Sequence, residues 1–175
     1  LADLDLSTGV PTSVSRIVEQ RVRRYGKAAT QVLTAASVIG PELDVELISA
    51  VVDLPEEDVF DLLDGAQQTR LVVETAKPEW FAFAHGLVQR ALYTSMTPAR
   101  RRRVHRRIAE RLELSFGAAA DRNAPELAHH WANSAPANRE KTLRYALIAG
   151  NQAVAQHAPE EGLRWLEQAL ALCDS

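Results

Sequence analysis

The sequence has few features of a secreted or membrane-spanning protein. Its 175 residues include one cysteine, Cys173, so no internal disulfide can form, and a reducing cytoplasm is the simplest compartment. No apolar run approaches the roughly 18 residues that a membrane-spanning helix needs. The first residues lack an initiator methionine and the basic start of a signal peptide. We therefore expect a cytoplasmic protein, and we interpret the chain as a fragment of a longer one.

Aromatic residues, net charge and catalytic motifs are also scarce. Aromatics make up 6% of the residues, which favours helices over sheets, and a net charge of −3 gives no general attraction to nucleic acid. The sequence contains no Gly-x-x-x-x-Gly-Lys-Ser/Thr loop, no Gly-x-Ser-x-Gly motif and no convincingly spaced carboxylate pair. We therefore predict that this chain alone is not an enzyme and has no catalytic residues.

The most informative pattern surrounds His85. Apolar residues alternate over 81–84, and from Gly86 onward the spacing becomes helical. The predicted inward face of that helix consists of Leu87, Val88, Ala91 and Leu92. This change of period predicts a strand that runs directly into a helix. His85 would then lie at the start of the helix, where free N–H groups and the helix dipole favour anions, so its imidazole could contact a phosphate. The alternative is a structural histidine that caps the helix or packs beside the strand.

The first half of the sequence, residues 1–96, predicts helices followed by one β-hairpin. The predicted elements are helices at about 14–25 and 27–39, a short helix capped by Asp44, a helix opened by Pro55, and strands at 71–75 and 80–84. Helices followed by a hairpin are the plan of a winged-helix domain. Its helix-turn-helix part would be roughly 44–68.

The second half, residues 97–175, predicts helices only. The predicted elements are a helix from Thr97-Pro98 with Val104, Ile108 and Leu112 inward, a loop at 117–123, a short helix around Trp131, and helices at about 138–156 and 159–172. The last two resemble a tetratricopeptide (TPR) helix pair in their small and large residues, which are Ala149, Gly150, Ala153, Gly162, Leu166 and Ala169. Since one pair cannot bury its own face, we expect further TPR-like repeats after residue 175. The fold class is therefore predicted as mostly α, a winged helix followed by a TPR-like array.

Six short motifs occur in an order that resembles one protein class. They lie at 9–14, 32–40, 83–93, 98–105, 126–131 and 149–153. Together they resemble the middle of large bacterial signalling ATPases of the STAND class. The most similar groups are the ATP-binding LuxR-type regulators and the ATPase-linked adenylyl cyclases of actinobacteria.

The resemblance implies a regulatory role. In such proteins a P-loop ATPase module precedes the winged helix, a TPR-like sensor follows it, and a DNA-binding or cyclase output domain lies elsewhere. His85 falls on the family's strand-to-helix histidine, which resembles the histidine of the Met-His-Asp motif of related plant and animal ATPases. In those proteins the histidine contacts the β-phosphate of ADP. Ala84 and Gly86 stand here in place of the other two motif residues. ADP or ATP with Mg would belong to the full-length parent and no cofactor to this chain. The sensor would bind a protein or small-molecule inducer.

A run of arginines offers a second candidate surface. Its residues are Arg100, Arg101, Arg103, Arg106 and Arg107, and they form either a solvated face or a basic docking face. A DNA-binding winged-helix transcription factor is one alternative function, and a protein-interaction scaffold is another. Five carboxylates on the would-be recognition helix disfavour direct DNA contact, because phosphates repel them. They are Glu56, Glu57, Asp58, Asp61 and Asp64.

The histidines of the second half do not predict a metal site. His129 and His130 are adjacent, so they should point to different helix faces, and Glu126 lies one turn before His130. No third ligand is evident from the spacing, and His105 is interpreted as a packed core residue.

Overall fold

A computed structural model describes the backbone of residues 12–134 and 138–173 and the side chains of 16–134 and 138–171. These residues are mostly helical with one small sheet, which confirms the predicted mostly-α class. No helix within these ranges is long and apolar enough to cross a membrane. The motif at 9–14 lies outside the described side chains. The chain forms two compact units, Leu1–Arg101 and Arg102–Ser175.

The first unit contains five helices and three strands among its described residues. They are α1 (Thr12–Arg23), α2 (Gly26–Ile39), β1 (Glu42–Asp44), α3 (Val45–Val52), α4 (Glu56–Gln68), β2 (Val72–Glu74), β3 (Trp80–Phe83) and α5 (Gly86–Ser95). The predicted cap of α3 is confirmed, because the Asp44 carboxylate accepts hydrogen bonds from the N–H groups of Glu46 at 3.0 Å and Leu47 at 3.5 Å. Pro55 immediately precedes α4, also as predicted.

The sheet is antiparallel with the strand order β1-β3-β2. The β2–β3 hairpin was predicted, whereas β1 was not. In β1 only Leu43 is apolar, and a strand of three residues is too short to show alternation. Leu43 of β1 lies opposite Phe81 of β3, and both side chains are buried. Strand β1 therefore pairs with the β3 edge of the hairpin and adds Leu43 to the core.

The core of the first unit is centred on α2, whose buried residues include Val32, Leu33 and Ala36. Helix α1 packs against α5 and buries Val18 and Val22. Leu87, which the periodicity predicted as inward, is 51% exposed, because it lies at the margin of the apolar stripe of α5.

Helix α6 (Pro98–Phe116) contains the boundary between the units, and the second unit continues with further helices. They are a 3-10 helix (Gly117–Asn123), α7 (Ala124–Asn133), α8 (Arg139–Ala155) and α9 (Pro159–Cys173). The loop predicted over 117–123 is therefore wrong. Gly117 interrupts α6 at a φ of 48°, and the alanines after it favour a short helix, which the Asn123 side chain closes by donating to the Ala119 carbonyl at 3.1 Å.

Helices α8 and α9 are in close backbone contact through two glycines. A Cβ atom added to Gly162 would lie 2.7 Å from Cγ2 of Val154 and 3.2 Å from the carbonyl oxygen of Gly150. One added to Gly150 would lie 2.9 Å from Cδ2 of Leu166. The predicted small residues Gly150 and Gly162 therefore lie where the two helices are in close contact. A side chain at Gly162 would press on the backbone of α8, and one at Gly150 would displace the Leu166 side chain.

Candidate functional site

His85 lies at the junction between β3 and α5, as the sequence predicts. Its backbone is extended, with φ −145° and ψ 136°, and its carbonyl accepts from the Val88 N–H at 2.9 Å. Its side chain makes no capping hydrogen bond to α5 and is exposed. The capping alternative therefore does not describe this histidine, and its imidazole is accessible beside the helix amino terminus.

The backbone on both sides of His85 is anchored. Before it, the N–H of Ala84 donates to the carbonyl of Leu71 at 3.0 Å. After it, Gln89 is buried and its side-chain amide donates to the Ser37 carbonyl of α2 at 3.3 Å. This short segment is therefore fixed to both the sheet and the central helix of the first unit.

The surface around His85 is open and partly apolar. Apart from the chain neighbours of Gly86 and the backbone of its own helix, nothing lies within 4 Å of the position that a Cβ of Gly86 would take, and Leu87 is exposed. An imidazole, a glycine and an exposed leucine thus form the first turn of α5. A partner could bind here through an anion at His85 and an apolar contact at Leu87.

The five arginines of the predicted docking face have different surroundings. Arg101 is half-buried, with its guanidinium 4.3 Å from the ring centre of Tyr93 and one N–H donating to the Met96 carbonyl at 3.2 Å. Arg106 forms an exposed ion pair with Glu110 at 2.9 Å. Arg103 is exposed and Arg107 is half-buried. Arg101 therefore contributes to packing of the first unit, while the ion pair of Arg106 contributes little stability.

Arg100 lies in a different basic environment. It lines a shallow depression of the first unit together with Arg23 and Lys27. Three cationic side chains at one depression attract anionic groups, and Arg23 also pairs with Glu19 at 3.5 Å.

Helix α4 presents the opposite charge. All five of its predicted carboxylates are exposed, namely Glu56, Glu57, Asp58, Asp61 and Asp64. The helix has no basic residue, so this surface repels phosphate. It is suited to a basic protein surface.

In the second unit, the structure brings together three histidines that helix spacing did not predict to be neighbours. Nδ1 of His105 on α6 lies 3.0 Å from Nδ1 of His130 on α7, and both side chains are buried. The ring of His129 is 5.6 Å from that of His105 and 5.1 Å from that of His130, centre to centre. His129 is exposed, so the cluster extends from the core to the surface.

Burial affects the charge of His130. It lowers the pKa of His130 well below its ordinary value, and the electrostatic influence of the neighbouring His105 and His129 acts in the same direction. His130 is therefore neutral at physiological pH. One imidazole of the pair donates its Nδ1–H to the other, or both bind a third group.

Spacing within one helix could not reveal this cluster. Adjacent histidines do point in different directions, but α6 packs so that His105 reaches both of them, and Glu126 is not part of the group. A signal was present in the sequence, because His105 lies on the predicted inward face of α6. An inward polar residue on one helix requires a partner from another.

An ion pair and a hydrogen bond also connect the helices of the second unit. Glu113 of α6 pairs with Lys141 at 2.5 Å and accepts a hydrogen bond from Tyr145 at 2.9 Å, both on α8. Burial and the Glu113 carboxylate raise the pKa of Tyr145 to about 12. The phenol therefore remains a donor over the physiological range, and this network is structural.

Comparison with known proteins gives one informative similarity. The chain is 26% identical over 160 residues to an uncharacterized protein of Rhizobium meliloti (strain 1021). The alignment includes 90% of the chain, which spans about 15% of the length of that relative. No protein-family profile matches the chain. No solved structure matches it either.

Proposed function

We propose that this chain is a non-catalytic regulatory segment of a STAND-type signalling ATPase or transcriptional regulator. Its first unit is a winged-helix domain that packs on an upstream P-loop ATPase module of the same protein. Its second unit begins a TPR-like sensor that binds a protein or small-molecule inducer. In this role, His85 responds to whether the upstream module holds ADP or ATP with Mg.

The observation that carries the proposal is the exposed imidazole of His85 at the start of α5. A histidine that served only the fold would be expected to cap the helix or lie in the core. This one does neither, although its backbone is fixed on both sides. A fixed, accessible imidazole at a helix amino terminus is suited to contact an anion that a neighbouring module holds.

The charge of α4 favours a packing role for the winged helix. In a DNA-binding winged helix the corresponding helix enters the major groove, and five exposed carboxylates would face phosphates there. The same carboxylates suit a protein contact. The exposed Leu87 beside His85 adds an apolar contact to the surface that would face the ATPase module.

The exposed apolar residues of α9 support a continuing TPR-like array. Leu163 is 58% exposed and Leu170 is 62% exposed, although α9 is packed along α8. In stacked helical repeats such residues are covered by the next repeat. Further TPR-like repeats are thus proposed partners of this face.

Replacing His85 with alanine in the longer protein is expected to weaken ADP binding by roughly tenfold or more. A hydrogen bond to a charged phosphate contributes about 1.5–3 kcal/mol, and about 1.4 kcal/mol corresponds to a factor of ten. The measurement is the nucleotide content of the purified protein, followed by titration of ADP into nucleotide-free protein.

Lys77→Ala is the matched control, because it shortens an exposed side chain of the first unit that contacts Trp80 at the start of β3, the end of the strand away from the β3–α5 junction. It should leave ADP affinity unchanged. If His85→Ala also leaves affinity unchanged, His85 does not contact nucleotide and the scaffold alternative is favoured. Absence of bound nucleotide and of ADP binding in the unaltered protein would contradict the ATPase proposal itself.

The isolated chain is expected not to bind duplex DNA. The acidic surface of α4 opposes it, and two of the arginines of α6 have partners within the protein. A gel-shift experiment at low salt, where nonspecific binding is strongest, is the most demanding measurement. A retarded complex that Arg100→Glu and Arg103→Glu abolish would instead support the DNA-binding alternative.

A further inference from the structure

The histidine cluster of the second unit has a geometry that the proposed regulatory role does not require. His105, His129 and His130 each offer one ring nitrogen, and these three atoms all lie within 4.8 Å of one another. Two of the residues come from α7 and one from α6, so the group joins separate helices. Three imidazoles that converge in this way are a ligand set rather than a solvated charged face.

The distances fit a zinc-type ion. Zn–N bonds of about 2.0–2.1 Å in a tetrahedral site separate two ligand nitrogens by about 3.3–3.4 Å. The Nδ1 atoms of His105 and His130 are 3.0 Å apart, so a small rotation of the rings brings them to that separation. The nitrogen of His129 must move further, and its exposed position allows this.

The hydrogen bond between the buried rings is also compatible with a metal, because an imidazole can carry its proton on either ring nitrogen. Without a metal, one ring of the buried pair donates its Nδ1–H to the other. Coordination by both Nδ1 atoms requires only that the donor ring carry its proton on Nε2 instead, so the pair need not lose a proton.

We propose that His105, His129 and His130 form a binding site for a divalent transition-metal ion of the zinc class. The ion joins α6 to α7, and a water molecule or an external ligand completes a tetrahedral set at the position that the three histidines leave open. Imidazole nitrogen favours Zn²⁺ and its neighbours in the first transition row over Mg²⁺ or Ca²⁺, which prefer oxygen ligands.

The test is titration of Zn²⁺ into the purified chain, without an affinity tag of histidines, by calorimetry at pH 7. One equivalent is expected to bind. Binding should weaken by more than about tenfold in His129→Asn, because loss of a second-shell partner alone costs about 10–100-fold and loss of a ligand costs more. Since His129 is exposed, this variant should fold, and circular dichroism would verify it.

His157→Asn is the matched control, because His157 is an exposed histidine outside the cluster and asparagine tolerates its positive φ of 61°. It should bind Zn²⁺ as the unaltered chain does. Imidazole ¹⁵N NMR gives a second measurement, in which Zn²⁺ should shift the resonances of His105 and His130 and leave those of His85 and His157 unchanged. Equal binding by both variants, or no change at His105 and His130, would overturn the proposal and identify the buried pair as a hydrogen bond alone.

Discussion

Leu43→Ala is expected to destabilise the first unit by about 2–5 kcal/mol, the usual cost of truncating a fully buried leucine. Leu43 is 0% exposed and lies opposite the buried Phe81 of β3. Its removal leaves a cavity between the sheet and the helices. Hydrogen–deuterium exchange at increasing urea concentration measures the effect, because peptides from each unit report that unit separately.

Val73→Ala is the control, because it truncates an apolar side chain in the same sheet at an exposed position. Val73 belongs to β2 of the same sheet, but its side chain is 44% exposed, so its truncation should cost less than about 1 kcal/mol. If the two variants are equally stable, β1 is not part of the core and the sheet is a hairpin alone.

Gly162→Ala is expected to destabilise the second unit by about 1–3 kcal/mol, the range for overpacking a well-packed contact. The new methyl group would overlap Cγ2 of Val154 and press on the carbonyl of Gly150, which is backbone and cannot turn away. Alanine favours the helix by about 1 kcal/mol relative to glycine, so destabilisation here means that the clash exceeds the gain in propensity. Exchange of α8 and α9 peptides in urea measures it.

Gly65→Ala tests the same substitution without the clash. Gly65 lies inside α4, and apart from its chain neighbours and the backbone of that helix nothing lies within 4 Å of the position of its Cβ, so this variant should stabilise the first unit by about 0.5–1 kcal/mol. Val154→Ala combined with Gly162→Ala should recover part of the lost stability, because it removes the nearer of the overlapping atoms. Stabilisation by Gly162→Ala alone would show that α8 and α9 do not approach as closely as described.

Helix periodicity and capping residues were sufficient to predict most of the fold. Asp44 and Pro55 mark helix boundaries that the structure contains, and the alternation over 81–84 indicates β3. The failures have physical causes. Strand β1 forms because it pairs with β3, and its own three residues show no strand pattern. The 3-10 helix after α6 contains three alanines between a glycine and polar residues, a composition that we interpreted as a loop.

The two candidate sites differ in how far the sequence could predict them. The position of His85 follows from a change of period within one segment, so local reasoning located it. The histidine cluster needs α6 and α7 to pack with His105 facing His129 and His130, a contact between residues far apart in sequence. Reasoning from single helices paired His130 with Glu126 instead, because neighbours on one helix are the contacts that spacing alone can predict.

The hydrogen bonds on either side of His85 have a consequence for the entropy of ligand binding. Holding one residue in a single backbone conformation costs about 1–2 kcal/mol of conformational entropy. Between Ala84 and Gln89 this entropy is lost when the first unit folds, before any ligand binds. A phosphate that reaches the imidazole therefore needs to restrict only the rotation of one side chain. The same anchoring limits what a bound anion can do in return, since it cannot order a segment that is ordered beforehand. Any response to the anion would then be a displacement of β3 and α5 together, with little change in local flexibility.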